Sequence, residues 1–393
     1  MSGSVIVSSA RTPIGKLSGV FASLSAMDLG GVAIQGALER GGVGPEQVDY
    51  VIMGHVLQAG QGQITARQAA AKAGIPMTVP ALTLNKVCLS GINAIYLADQ
   101  MIQSGDAEVV VAGGMESMTA APYLLPGARA GLRMGHAEIT DSMIHDGLWC
   151  AFDMEHMGTG TQRYANEREI AREAQDELAA KSHERAANAI KEGRLADEIA
   201  PVEIPQRKGD PLLVDTDEGV RPETTMESLA KLRPAFHKDG TITAGNASQI
   251  SDGAAALVMT SREKAEELGL TPIAELLSYG MVAGPDPSLL HQPSRAIKRA
   301  LEAIDTKVSD LDLLEINEAF AAVGVASMRD LGVDDEIVNV NGGAIALGHP
   351  VGMSGARVVL TLVNELRRRG GGVGAAGLCG GGGQGDAAVV RTL

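Results

Sequence analysis

The sequence predicts a layered α/β fold built from two similar halves, and three observations predict it. Strand-like runs alternate with helical ones from the N-terminus onward, and one pattern of segments recurs late in the chain at nearly constant spacing. The third is composition: 49 Gly with only 3% aromatic residues calls for tight turns and closely packed small-residue layers.

The elements follow in order. Ser4 to Ser9 reads as an apolar strand, Ala26 to Arg40 as a helix, Tyr50 to Val56 as a strand and Ile64 to Ala73 as a helix. Val79 to Leu84 is a further strand, and Ser90-Gly91 with Ile92, Ile95, Tyr96 and Leu97 opens another helix. Pro45-Glu-Gln-Val-Asp-Tyr-Val-Ile-Met-Gly and Ser309-Asp-Leu-Asp-Leu-Leu-Glu-Ile-Asn each read as the end of a helix turning into a strand, with Asp49 answering Asp312. From Asp49 it is 41 residues to Ser90 of Ser-Gly-Ile-Asn, and from Asp312 it is 42 to Ser354 of Ser-Gly-Ala-Arg. From each serine it is 19 more to an apolar strand, at Val109 and at Val373. Spacing kept this closely marks a duplication.

The halves are therefore expected at 1–118, completed by about 246–270, and at 271–393, with 119–245 inserted between them. The insertion holds most of the irregular sequence and one helical stretch, Ala171 to Gly193, whose many charges read as a solvated amphipathic helix. Two α/β halves leave a cleft between them, which the insertion is placed to roof.

At 393 residues the chain exceeds what one core holds, so two or three domains are expected. A net charge of −15 opposes general attraction to nucleic acid or an anionic membrane. Three cysteines without Cys-x-x-Cys spacing argue against a disulfide framework and a structural zinc, and fit a reducing cytoplasm. The N-terminus starts a strand at once rather than a secretory signal, and no apolar run approaches a bilayer span.

Cys88 sits in Leu84-Asn-Lys-Val-Cys-Leu-Ser-Gly, where a strand ends and a helix begins. A lone cysteine is more often a small buried hydrophobe. At this junction, however, unpaired N–H groups and the helix dipole are expected to lower its pKa. His349 lies in Gly342-Gly-Ala-Ile-Ala-Leu-Gly-His-Pro-Val-Gly-Met-Ser-Gly, before the second Ser-Gly helix, and Pro350 restricts its backbone. No Gly-x-x-x-x-Gly-Lys loop occurs, which argues against a P-loop nucleotide site. Cys379 precedes four glycines that let a backbone approach a ligand and offer N–H groups to an anion. Asn317, in Asn317-Glu-Ala-Phe-Ala, falls at a strand-to-helix transition, where it reads either as an N-cap or as a holder of a water or carbonyl oxygen. Two thiols, an imidazole and an amide suggest covalent thiol catalysis, the second thiol moving a proton. Cys-His hydrolysis uses the same residue types but does not need Cys379.

Four motifs in this order, Asn85-Lys-Val-Cys-Leu-Ser-Gly, Asn317-Glu-Ala-Phe-Ala, Gly342-Gly-Ala-Ile-Ala-Leu-Gly-His-Pro and Cys379-Gly-Gly-Gly-Gly-Gln-Gly, resemble those of the thiolases. Gly114-Met-Glu-Ser-Met, His156-Met-Gly and Ala244-Gly-Asn-Ala-Ser extend the resemblance to nearly full length. It implies a thiolase-like α-β-α-β-α fold, and acyl-CoA as substrate with no tightly bound cofactor and no metal. Cys88 would carry the acyl group, His349 would take its proton, and Cys379 would deprotonate acetyl-CoA. One oxyanion hole would use His349 with a water on Asn317, the other the N–H groups of Cys88 and Gly381. For coenzyme A the family pattern points to Leu148, His156, Met157, Arg221, Ser228, Phe236, Ala244 and Ser248, with Ala319 and Phe320 lining the tunnel. Cys150 matches no catalytic motif. One departure stands out: Asp286-Pro is followed by Ser-Leu-Leu-His-Gln-Pro where many members carry Met-Gly-x-Gly-Pro, so that Leu290 takes roughly the Met position near the acyl pocket.

The resemblance therefore implies a biosynthetic-type acetyl-CoA C-acetyltransferase, assembled as a homotetramer through the loop at Pro122 to Met134. A broader 3-oxoacyl-CoA thiolase and a non-catalytic CoA-binding member are the alternatives.

Overall fold

Every residue of Val5–Arg11 (β1) is buried, because this strand lies where the two halves meet. The computed structural model describes residues 4–393; Met1–Gly3, the expected start of the first half, lie outside the described residues. In the first half follow Tyr50–Gly54 (β2), Ala81–Leu84 (β3), Val109–Ser117 (β4) and Ser251–Thr260 (β5). The second half contributes Ala274–Ala283 (β6), Leu313–Ile316 (β7), Val373–Gly380 (β8) and Gln384–Thr392 (β9). With the short Gly15–Lys16 strand beside β5, they join in one mixed sheet of order β7-β8-β9-β6-β1-β5-β4-β2-β3.

The order reads almost the same outward from its centre. Next to β1 lies antiparallel β5, then β4 and parallel β2; next to β6 lies antiparallel β9, then β8 and parallel β7. Among the described residues β1 pairs with β6 at Val5 and Ile6 alone, across Glu275 and Ala274.

Helices Ala26–Gly41 (α1) and Thr65–Lys72 (α2) cover the outer face of the first half, and Gln292–Glu302 (α5) and Ala321–Leu331 (α6) that of the second. Between the halves lie Ser90–Ser104 (α3) and Ser354–Arg368 (α7), which pack on each other. The strands alternate to serve both faces: Val110 and Ala112 join the central core, whereas Val109 and Val111 join the outer one beneath α1. Five layers, α-β-α-β-α, result.

The duplication has a chemical signature. Asp49 accepts the N–H of Val109 at 2.8 Å through Oδ2, and Asp312 accepts that of Val373 at 2.8 Å through the same atom. The paired aspartates do one job, tying the entry of one strand to the start of its neighbour. The preceding segments, read as helix ends, are single turns, Pro45–Gln47 and Val308–Asp310, too short to propagate. The recurring Ser-Gly pair also has its reason here. A methyl group on Gly91 would lie 2.6 Å from the Ala356 nitrogen, and one on Gly355 2.3 Å from that of Ile92. Only glycine lets α3 and α7 meet backbone to backbone.

The inserted helix, Arg172–Lys191 (α4), is less solvated than its charges suggest. Its Gln175, Asp176, Ser182 and His183 are buried, with Ser182 Oγ donating to Glu318 Oε2 at 2.7 Å and Asn246 Nδ2 donating to Asp176 Oδ1 at 2.8 Å. The inserted region is also pinned to β1 by fully buried Arg11, which donates to Glu198 Oε1 at 2.6 Å and to both oxygens of Asp217 at 2.7 and 2.9 Å. Arg11→Met would leave two buried carboxylates without their counter-charge, so urea denaturation should show a loss of about 3–5 kcal/mol. A loss below about 1 kcal/mol would mean that this cluster does not hold the insertion. Among the described residues no helix is long and apolar enough to cross a membrane.

Candidate active site

The turn from β3 into α3 is built by side chains that bond its own backbone. Asn85 Oδ1 accepts the Val87 N–H at 3.0 Å, and Ser90 Oγ accepts that of Lys86 at 2.8 Å while donating to the Val87 carbonyl at 2.6 Å. The price is a left-handed Val87, at φ +50°, where a β-branched residue is strained by about 1–3 kcal/mol. Strain next to the candidate nucleophile was not legible in the sequence; only the Asn and Ser that enforce it were.

Cys88 is 6% exposed, and its own N–H and that of Gly381 favour the ionised sulfur. The expectation of a lowered thiol pKa is corrected here: burial pushes it up to about 12, outweighing both N–H bonds, and the negative charge of Glu116 adds to the rise. Charge removed from water dominates the dipole of a helix end. The resting thiol is therefore protonated at neutral pH, and it needs a base.

His349 has the form of that base. Its Nδ1 lies 2.6 Å from Ser354 Oγ, and the one proton of that hydroxyl goes to the Pro350 carbonyl at 3.0 Å. The imidazole therefore donates from Nδ1 and keeps Nε2 as a lone pair. Burial, aided by the cation of Arg357, lowers the ring pKa to about 3 and keeps it neutral. Nε2 lies 3.5 Å from Nδ2 of Asn317, whose side chain is fully buried and whose Oδ1 has no hydrogen-bond partner among the described residues. Asn317 is not an N-cap, because α6 begins at Ala321 with Phe320 before it.

Cys379, at the end of β8 and 1% exposed, is raised well above the usual thiol range, first by burial and then by the charge Cys88 acquires on ionising. The turn after Cys379 lies against the Cys88 turn: a methyl group on Gly380 would lie 2.6 Å from Leu89 Cγ and one on Gly381 3.4 Å from Val87 Cγ1. Gly382 and Gly383 follow in left-handed conformations, φ +78° and +67°, which bend the chain past the site.

The residues assigned to coenzyme A divide into two groups. Leu148 packs in the cluster around Cys88, while Met157, Ala319 and Phe320 pack in that around Cys379. His156 stacks on Phe236 at 5.1 Å, Phe236 meets Phe320 edge-on at 6.1 Å, and the Ser248 N–H donates to the Ala319 carbonyl at 3.1 Å. His156, Phe236, Phe320, Ala319 and Ser248 thus form one connected wall beside the Cys379 cluster, and Leu148 stands apart from it with Cys88. Arg221, Ser228 and Ala244 are exposed and are not drawn into that wall. The Arg221 N–H donates to His183 Nδ1 at 3.1 Å, and Ser228 forms a capping box with Thr225. Cys150, buried, accepts the Asp153 N–H at 3.4 Å and lines a small void with Met157, Leu289 and Gly382.

A raised thiol pKa has a direct readout. Iodoacetamide should alkylate Cys88 of the free protein at a rate that climbs with pH beyond about pH 9, as thiolate accumulates. A plateau reached below about pH 7 would instead show a preformed thiolate–imidazolium pair.

Duplicated halves, a strained cysteine turn, a neutral buried imidazole and a second thiol together define a class, and comparison with known families agrees. The thiolase N-terminal domain matches residues 4–263 and the thiolase C-terminal domain residues 270–392. The chain belongs to the thiolase family. A protein of Mycobacterium tuberculosis described as a probable acetyl-CoA acetyltransferase is 57% identical over 391 residues, 100% of both chains. The acetyl-CoA acetyltransferase of Cupriavidus necator is 54% identical over 392 residues, again covering 100% of both. Among solved structures, the acetyl-CoA acetyltransferase of Bacillus anthracis superposes with a TM-score of 0.97 at 44% identity, covering 100% of this chain and 99% of that one.

Proposed function

We propose that the protein is an acetyl-CoA C-acetyltransferase, which joins two acetyl-CoA into acetoacetyl-CoA and CoA and runs the reverse thiolysis with the same groups. The observation that carries this reading is the second buried thiol, whose glycine turn packs on the Cys88 turn at Val87 and Leu89. A hydrolase has no use for it. The full-length relatives named as acetyl-CoA acetyltransferases support the substrate.

In the first half-reaction Nε2 of His349 takes the Cys88 proton, sulfur attacks the acetyl thioester, and the proton leaves with CoA. The N–H groups of Cys88 and Gly381, which favour negative charge at this place, hold the oxygen that becomes negative; each such donor is typically worth about 3 kcal/mol. In the second, the Cys379 thiolate, its proton held on His349, takes a proton from the methyl group of another acetyl-CoA. The enolate oxygen is held by His349 and a water on Asn317, and its carbon attacks the acetyl group on Cys88. The departing Cys88 thiolate then recovers the proton from His349. The repulsion between the sulfurs orders these events: while Cys88 is ionised Cys379 stays protonated, and acylation removes that opposing charge.

We assign 119–245 to covering the coenzyme, with Arg221, Ser228 and Ala244 at its outer rim. The exposed Tyr123, Leu125, Leu132 and Met134 support tetramer assembly through the loop at Pro122 to Met134, and three free cysteines support a reducing cytoplasm.

Leu290 supports a short acyl group: it is fully buried and packs with Cys379, Leu289, Ala319 and Val323. A void of only ≈ 10 Å³ adjoins this cluster, between Met157, Tyr164, Leu289 and Gly382. Thiolysis of acetoacetyl-CoA should therefore outpace that of 3-oxodecanoyl-CoA, and Leu290→Ala should shift the ratio toward the longer chain by about tenfold, the scale of a few methylenes. Faster turnover of the longer substrate by the parent protein would overturn the short-chain reading.

A further inference from the structure

The base and the nucleophile of this site come from different halves of the fold: Cys88 follows β3, and His349 precedes α7. Their alignment depends on what joins the seam, and one buried side chain does so directly. Glu116, on β4 and fully buried, accepts the N–H of Gly352 at 2.9 Å and of Val56 at 3.0 Å through Oε2. Its Oε1 accepts that of Leu57 at 3.1 Å and lies 3.3 Å from His55 Nε2. The Gly352 bond crosses from the first half to the turn His349–Gly352 of the second.

The same turn is held on its other side by shape. A methyl group on Gly54, Gly91 or Gly114 would lie 2.8, 3.1 or 1.9 Å from the Gly352 carbonyl oxygen, so three glycines of the first half clear a slot for it. A methyl group on Gly352 itself would lie 2.7 Å from the Met115 carbonyl and 2.8 Å from Glu116 Oε2. The turn has no room to shift without breaking these contacts.

We propose that Glu116 is a positioning residue for the reaction, clamping the Gly352 backbone so that His349 stays aligned with Cys88. Burying a carboxylate is unfavourable, and a structural filler at this place would be apolar. What the place requires is acceptors for three converging N–H groups, which two carboxylate oxygens supply. Glutamine offers one oxygen and turns an NH2 group toward donors that cannot receive it. The ionisable groups facing Glu116 are His55 beyond β2, Asp252 on β5 and Cys88 itself. Burial, opposed by the three N–H bonds and helped by the charge of Asp252, raises the pKa of Glu116 to about 7.

The inference rests on His349 as the base for Cys88, and the experiment separates the two. In the full-length enzyme, Glu116→Gln should lower kcat for acetoacetyl-CoA thiolysis by about 10²-fold, the scale of a small misalignment of reacting groups. KM should stay within about twofold, because none of the groups bonded to Glu116 is among the residues assigned to the coenzyme. Cys88 should still be alkylated stoichiometrically by iodoacetamide, with its pH profile displaced to lower pH since an opposing charge is gone. A folded Glu116→Gln enzyme with kcat within about threefold of the parent, or a loss carried by KM, would overturn the proposal. If His349→Asn retains parental kcat, the base assignment itself fails; if His349→Asn is inactive while Glu116→Gln is not, only the clamp fails. Should Glu116→Gln not fold, Gly352→Ala decides: the clamp predicts the same kcat loss with an undisplaced alkylation profile, and near-parental kcat overturns it.

Discussion

Cys88→Ala should lower both condensation and thiolysis on the order of 10⁴-fold or more, the scale on which enzymes lose turnover when the covalent nucleophile is removed. Folding should survive, because the side chain is small and lies among pliable neighbours, Met118, Met143, Leu148 and Val351. The thermal midpoint should therefore move little while activity disappears. That combination separates catalysis from the alternative of a non-catalytic CoA-binding member, for which the substitution would change nothing. Retention of more than about one per cent of parental turnover would mean that Cys88 does not carry the acyl group.

Cys379→Ser should split the reaction in two. Condensation and thiolysis should fall by about 10³–10⁴-fold, near the upper range for a lost proton-transfer group, because a buried hydroxyl is far harder to ionise than a thiol. Exchange of the acetyl group between acetyl-CoA and free labelled CoA should persist, since it needs only Cys88, His349 and the N–H groups of Cys88 and Gly381. A Cys-His hydrolase predicts the opposite pattern, with thioester cleavage intact and independent of CoA as acceptor. Parallel loss of exchange and condensation would show that Cys379 acts in the first half-reaction too.

Much of this architecture was legible because it is local or repeated. The interval from Asp49 to Ser90 to Val109 predicted two matched units, and the structure shows the reason, since Asp49 and Asp312 make the same strand-to-strand bond. The junction motifs marked His349 and Asn317, which the fold brings within 3.5 Å of each other, and the two buried thiols Cys88 and Cys379. Properties that depend on partners far away in the chain were not legible. The direction of the Cys88 shift was misread because burial is set by a cluster drawn from both halves and the insertion, not by the helix that follows. Arg11 bonds residues about 190 positions away and Glu116 reaches across 236, separations at which no sequence period operates. Helix α4 was read as solvated from its charges, yet its buried face is polar because it satisfies Glu318 and Asn246 beneath Asn317. The tautomer of His349 rests on Ser354, which the Ser-Gly repeat marked for position but not for this role.

The central claim is that acetyl passes through Cys88, and the covalent intermediate itself is the most direct test. Cys379→Ser protein mixed with acetyl-CoA, quenched in acid and digested should yield one acetyl group per chain, on the peptide that spans Cys88. Addition of free CoA before the quench should remove it. A stoichiometric Cys88 acetyl thioester that CoA discharges is the predicted result; an acetyl group on any other residue, or none while acetyl exchange continues, would contradict it.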